Sequence, residues 1–185
     1  MISTVAKETK KKMDQVVEDT KNEFKKIRTG RAKPALLEGI KASYYGTMTP
    51  INQMAKISAP EPRQLVVSPF DSSVIEDIEK AILKSDLGLS PNNDGDVIRI
   101  NIPQLTEERR KELAQLANEK AEEGKIEIRS VRREANDRLE ELEKSGDISE
   151  DNYHRGLDNI QEITDEYVSK IDELYENKKA AIMEV

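Results

Sequence analysis

The chain has 185 residues, 36% of them charged and only 4% aromatic, with a formal net charge of −7 and no cysteine. That length suits one or two domains, and the composition favours long solvent-facing helices over a β-rich globule. A disulfide framework and thiolate metal sites are excluded, and no apolar run reaches membrane-spanning length.

Met1 leads directly into polar, lysine-rich sequence, so no signal peptide is expected and a soluble cytoplasmic protein is the default. The charge is uneven. Residues 1–29 carry 8 basic and 5 acidic side chains, whereas residues 145–185 carry 4 basic and 11 acidic ones. Overall acidity therefore masks local basic surface, and a nucleic-acid partner stays open.

In chain order, residues 2–28 form the first amphipathic segment. Ala6, Met13, Thr20 and Ile27 recur every seven positions, with Ile2, Thr9 and Val16 as the companion row. Residues 30–104 differ in character and hold all seven prolines. Within them, Leu36 to Tyr45 reads as a strand turning at Gly46, and Leu65-Val66-Val67 and Val97 to Ile102 read as further strands. Asp71-Ser72-Ser73 can cap a helix that turns Ile75, Ile78 and Ile82 inward, and Asn92-Asn93-Asp94-Gly95 reads as a turn.

A second long helix begins near Thr106, with Glu107 and Glu108 favouring its dipole. Its stripe runs through Leu113, Leu116, Ala117, Ala121, Ile128, Val131, Ala135, Leu139 and Leu142, and Ser145-Gly146 stops it. A third opens at Ser149. Its rows are Tyr153, Ile160, Tyr167, Leu174 and Ala181, and Leu157, Thr164, Ile171 and Lys178. At 1.5 Å per residue the last two helices each extend roughly 55 Å. None can bury its stripe alone, and the short connection at 145–148 makes the second and third antiparallel neighbours.

The expected fold class is α+β. An elongated antiparallel three-helix bundle (residues 1–29 and 105–185) is interrupted by a small β/α/β domain (residues 30–104). Two chain crossings join the parts, at Thr29-Gly30-Arg31 and at Ile102-Pro103-Gln104. Such a joint can act as a hinge, or it can be a rigid corner packed by local side chains.

The stretch from Ile126 to Asp137 carries the chemistry. Arg129, Arg132 and Arg133 lie beside the apolar stripe, and Lys125 and Asn136 extend them along the axis. At 100° per residue these five fall within an arc of roughly 100°. Two readings fit: a phosphate-binding face, or a solvated face laced with ion pairs to Glu122 and Glu127.

Signs of catalysis are lacking. His154 is the only histidine and sits in the first turns of the third helix. No phosphate-binding glycine loop is present. A calcium loop centred on Gly95 fails, because Ser90 and Asn101 stand where acids are required. Binding is the better class: arginine forks suit the backbone of structured RNA, and exposed aromatic platforms for unpaired bases are scarce.

Several segments, in order, resemble the ribosome recycling factor family of bacteria. They are Arg28-Thr29-Gly30-Arg31-Ala32, Tyr44-Tyr45-Gly46-Thr47-Met48-Thr49-Pro50 and Ser85-Asp86-Leu87-Gly88-Leu89-Ser90-Pro91. Leu105-Thr106-Glu107-Glu108-Arg109-Arg110-Lys111-Glu112-Leu113 and the run from Arg129 to Asp137 complete the set. Ser90 departs from the family, which often has Asn before that proline.

The resemblance implies an L-shaped, two-domain protein of tRNA-like dimensions that binds the ribosome after termination. It would act with elongation factor G to separate the subunits. It would have no catalysis and no cofactor of its own, the partner using GTP. The helical domain would contact large-subunit ribosomal RNA. Arg132 corresponds to the family's best-placed RNA-contacting arginine; Arg129, Arg28 and Arg31 match further basic positions, with Arg133, Arg109 and Arg110 beside them. A monomer with no membrane partner is expected. The alternative is a helical scaffold that binds a partner protein through its heptads and leaves the arginines solvated.

Overall fold

The computed structural model describes residues 1–184. The chain divides into two compact units, residues 1–29 with everything from Glu107 onward, and Gly30–Thr106. The second crossing thus falls two residues later than the sequence reading placed it. Leu105 belongs with the small unit, where its side chain packs 3.2 Å from the position a Cβ on Gly30 would take.

The helical unit consists of α1 (Ile2–Lys26), α4 (Glu107–Lys144) and α5 (Glu150–Met183). The predicted heptad rows form its core: Thr9, Met13, Val16 and Thr20 of α1, Ala117, Ala121, Ile128 and Leu139 of α4, and Ile160, Thr164, Tyr167 and Ile171 of α5 are buried. Three threonines stand on apolar rows because each hydroxyl donates to the carbonyl one turn earlier: Thr9 to Val5 at 2.8 Å, Thr20 to Val16 at 2.9 Å and Thr164 to Ile160 at 2.7 Å. Satisfied in this way, the side chain presents its methyl to the core. Leu116 is a correction. It lies on the outer flank of the stripe, some 100° from the line of Ala117 and Ala121, and is 40% exposed.

The turn between α4 and α5 follows from Gly146. With φ of +81° it takes the left-handed conformation that ends a helix, its N–H donating to Glu143 and that of Asp147 to Leu142. Ser149 then caps α5 by accepting from the Asn152 N–H. Between α1 and α5 the Tyr167 hydroxyl donates to Asp14 at 2.6 Å. Burial first, and then this carboxylate, push the phenol well above its usual range.

The small unit holds a four-stranded antiparallel sheet in the order β3 (Ala55–Glu61), β4 (Gln64–Pro69), β6 (Ile98–Asn101), β5 (Pro91–Asn93). The register sets Leu65 opposite Ile100 and Val67 opposite Ile98, and all four are fully buried. Ile78 and Ile82 of α3 (Ile75–Lys84), also fully buried, join the same core. Ahead of α3, residues Ser72–Val74 form a 3-10 turn, which Asp71 caps by accepting from the Ser73 N–H at 2.9 Å. A separate hairpin pairs β1 (Lys41–Tyr44) with β2 (Thr47–Pro50). Its two-residue turn needs positive φ at both positions, supplied by Tyr45 at 48° and Gly46 at 82°. A short helix, α2 (Ile51–Met54), follows and buries both of its terminal residues.

Two sequence readings change here. The expected strand from Leu36 is a 3-10 turn over Pro34–Leu37, and pairing starts only at Lys41. Pro34 presets a tight turn and Gly39, at φ 86°, breaks the extended run. The expected turn at Asn92 starts later, since Pro91–Asn93 pairs with β6 before the chain reverses at Asp94.

Asp94 organises that reversal. Its carboxylate accepts from the Val97 N–H at 2.9 Å and the Asp96 N–H at 3.0 Å and pairs with Arg99. These donors, the Val97 amide foremost, lower its pKa from the ordinary 3.8 to about 2. A depressed folded-state pKa gives stability that is complete above the unfolded value and is lost as pH falls through the folded one. The small unit is expected to weaken between pH 4 and about 2, followed by the amide NMR signals of Asp96 and Val97. Asp94→Asn should flatten that dependence; an unchanged acid profile would show that the turn does not report on this carboxylate.

Candidate nucleic-acid interface

The outer surface of α4 is set by the core beneath it. With Ile128, Val131 and Ala135 turned inward, Arg129 and Arg133 must face solvent, and Arg132 must lie along the seam with α5. The structure places them so. Arg129 and Arg133 are exposed and have no ion-pair partner among the described residues. Arg132 is half-buried. Its Nη1 donates to the Gln161 side-chain oxygen of α5 at 3.1 Å, and its Nε is buried without a partner. The Gln161 amide nitrogen in turn donates to Asp165 at 2.7 Å.

The ion-pair alternative for this face forms only at Lys125 and not at the three arginines. Glu122 pairs with Lys125 at 2.6 Å and Glu134 with Lys12 of α1 at 2.7 Å, and Glu127 pairs with none of the three arginines. Glu122 and Glu134 are thus drawn to lysines, and none of the three arginines forms an ion pair among the described residues. Lys125, expected to extend the stripe, instead bridges Glu122 and Asp172, the latter at 2.9 Å, with only 15% of its side chain exposed. Both acids raise its pKa, Glu122 first. Asn136 does border the stripe, half-buried with its side-chain oxygen unpartnered.

The other expected basic residues of α4 are not brought to this cluster. Arg109 pairs with Glu112 at 2.6 Å and lies about 140° around α4 from Arg132. Arg110 shares the face but stands roughly 33 Å along the axis. There its Nη1 reaches the Met183 carbonyl at 3.5 Å, near the end of α5. Arg28 follows α1 and is exposed; Arg31 is exposed at the start of the small unit.

The joint residues show where the small unit's framework begins. The Ala32 N–H donates to Pro62 at 2.7 Å and the Ile102 N–H to Arg63 at 2.8 Å. The single turn between β3 and β4 therefore ties down both connecting segments. Ile102, expected in the hinge, packs against the small unit's core. Thr29 is buried, Gly30 has φ of +72°, and Pro103 and Gln104 are exposed.

Sequence reasoning missed Gln161 and Asp165, because they come from another helix. A usable signal existed: Arg132 and Gln161, Leu139 and Gly156, and Arg110 and Met183 each sit at nearly equal chain distance on either side of Asp147. An antiparallel hairpin with its turn at Gly146-Asp147 fixes that register.

Among the described residues no helix is long and apolar enough to cross a membrane, and no group of His, Asp or Glu side chains is placed to hold a metal ion.

Comparison with known proteins gives a consistent result. The chain is 65% identical to the ribosome-recycling factor of Halothermothrix orenii and 51% identical to that of Bacillus subtilis, each over the full length of both chains. A solution structure of a ribosome recycling factor matches all of this chain and 98% of its own, with a TM-score of 0.78 at 44% identity. A second structure matches all of both chains with a TM-score of 0.66 at 46% identity. It describes models for the Thermus thermophilus factor and Escherichia coli elongation factor G bound to the E. coli post-termination complex. The family model for ribosome recycling factor matches residues 20–183, and the chain belongs to that family.

Proposed function

We propose that this protein recycles ribosomes after termination. It binds the large subunit through the basic face of α4 and, with elongation factor G and GTP, parts the subunits so that they can re-initiate. The observation that carries the RNA contact is the uncompensated charge of Arg129, Arg132 and Arg133 on a folded helical face. Arginine forks match phosphate oxygens, and each phosphate neutralised releases counterions, so affinity falls with salt. Arg28 and Arg31 add basic groups near the first crossing, and Arg109 and Arg110 supply charge at the start of α4.

The protein hydrolyses nothing itself; the partner GTPase supplies the free energy. The three-helix packing gives a stiff body that passes on force instead of absorbing it. The moving part of the joint lies outside the two backbone bonds that pin Ala32 and Ile102 to the turn between β3 and β4, leaving Thr29, Gly30 and Arg31 on one side and Pro103, Gln104, Leu105 and Thr106 on the other. The protein works as a monomer in the cytoplasm.

The direct test follows subunit splitting of post-termination ribosomes by light scattering. Splitting is expected only with this protein, elongation factor G and GTP together. A scaffold that used only its heptad faces would neither split ribosomes nor sediment with large subunits, and that outcome would overturn the proposal.

A further inference from the structure

We propose that Gln161, oriented by Asp165, is a positioning residue that holds Arg132 in a phosphate-ready conformation; the inference rests on the reading of α4 as an RNA-binding face. Arg132 is the one arginine of the cluster held by a side chain from another helix, through Gln161 at 3.1 Å. A primary amide can present either its oxygen or its nitrogen, so the hold needs a device that selects the oxygen. Asp165, one turn further along α5, supplies it. An ionised carboxylate only accepts, and at 2.7 Å it fixes the Gln161 nitrogen toward itself, turning the oxygen to Arg132.

The arrangement also decides which edge of the guanidinium meets RNA. Nε is buried, so the side edge made by Nε and Nη2 is closed to a phosphate. Gln161 takes one hydrogen of Nη1, which leaves for a phosphate the other Nη1 hydrogen and the Nη2 hydrogen that points away from Nε. The fork therefore meets phosphate end-on. A free arginine would lose rotamer freedom on binding; one already anchored loses less. A neutral amide does this without cancelling the charge, as a glutamate in its place would.

Gln161→Met tests the idea, because it keeps side-chain length and helix propensity but removes the acceptor. Affinity of the full-length protein for isolated large ribosomal subunits is measured at fixed salt, for this variant, Arg132→Ala and the double variant. Gln161→Met is expected to weaken binding three- to tenfold with an unchanged melting temperature and an unchanged salt slope. In the Arg132→Ala background it is expected to have no further effect. Wild-type affinity for Gln161→Met would overturn the inference. So would an equal loss in both backgrounds, which would make Gln161 a contact in its own right. Wild-type affinity for Arg132→Ala would remove the RNA-binding face itself, a failure distinct from that of the positioning role.

Discussion

Arg132→Glu is expected to weaken binding to isolated large subunits about a hundredfold while leaving the melting temperature within a degree or two. One lost phosphate contact is worth about 1–3 kcal/mol where the guanidinium is held in place, and the new carboxylate adds repulsion from the same phosphate. The fold should tolerate the change, because the side chain lies at the seam and not in the apolar core. The introduced carboxylate would face Gln161, whose amide can rotate to donate once Asp165 releases it. The slope of log affinity against log salt should fall by about one unit. Lys125→Ala is the matched control. It removes a cation from the same arc, yet one engaged with Glu122 and Asp172, so binding should change less than about twofold. Equal losses in the two variants would mean that net charge on α4, and not the geometry of Arg132, governs affinity.

That contrast shows what the sequence could and could not carry. Helical periodicity placed Lys125 and Arg132 on one arc, and the arc is real. Periodicity has no information on which of them a neighbouring helix neutralises. The groups that engage them, Asp172 for Lys125 and Gln161 for Arg132, reach α4 only through the antiparallel register of α5. The register itself was within reach, since the Gly146 stop and the Ser149 cap define a tight turn about which partners pair.

The bundle was legible because seven-residue rows survive even with threonine in them. The small unit was less so, and its edges least of all. Strand β3 carries Lys56, Ser58 and Pro60 and lies at one edge of the sheet, where only one face needs apolar residues and a proline costs no ladder bond on its open side. The central strands, with Leu65, Val67, Ile98 and Ile100 fully buried, were visible, β4 from the apolar run Leu65-Val66-Val67 and β6 from its alternation. The 3-10 turn at Pro34–Leu37 hid because Leu36 and Leu37 have strand-like hydrophobicity, whereas the backbone there is dictated by Pro34 and Gly39.

Glycine inside a helix is the signal that periodicity treats as noise, and it yields the second large effect. Gly124 is buried at the point where all three helices meet. A Cβ there would fall 2.6 Å from Thr20 Oγ1 of α1 and 3.1 Å from Ile171 Cδ1 of α5. The isoleucine end can swing aside, but Thr20 is β-branched and its hydroxyl is tied to Val16, so it cannot yield easily. Gly124→Ala should gain about 1 kcal/mol in helix propensity and lose about 3 kcal/mol to overpacking, a net destabilisation of about 2 kcal/mol. Denaturant unfolding followed by helical circular dichroism measures it. In a Thr20→Ala background the obstructing hydroxyl is gone, and the cost of Gly124→Ala should fall by at least about 1 kcal/mol. An equal cost in both backgrounds would place the strain elsewhere. The coupling matters beyond stability. Gly124 lets α4 approach α1 one turn before Ile128, and Ile128 in turn sets the outward face of Arg129 and the seam position of Arg132. Prising the helices apart at Gly124 should therefore also loosen the Arg132–Gln161 bond, so Gly124→Ala should weaken large-subunit binding, and Thr20→Ala should restore part of it.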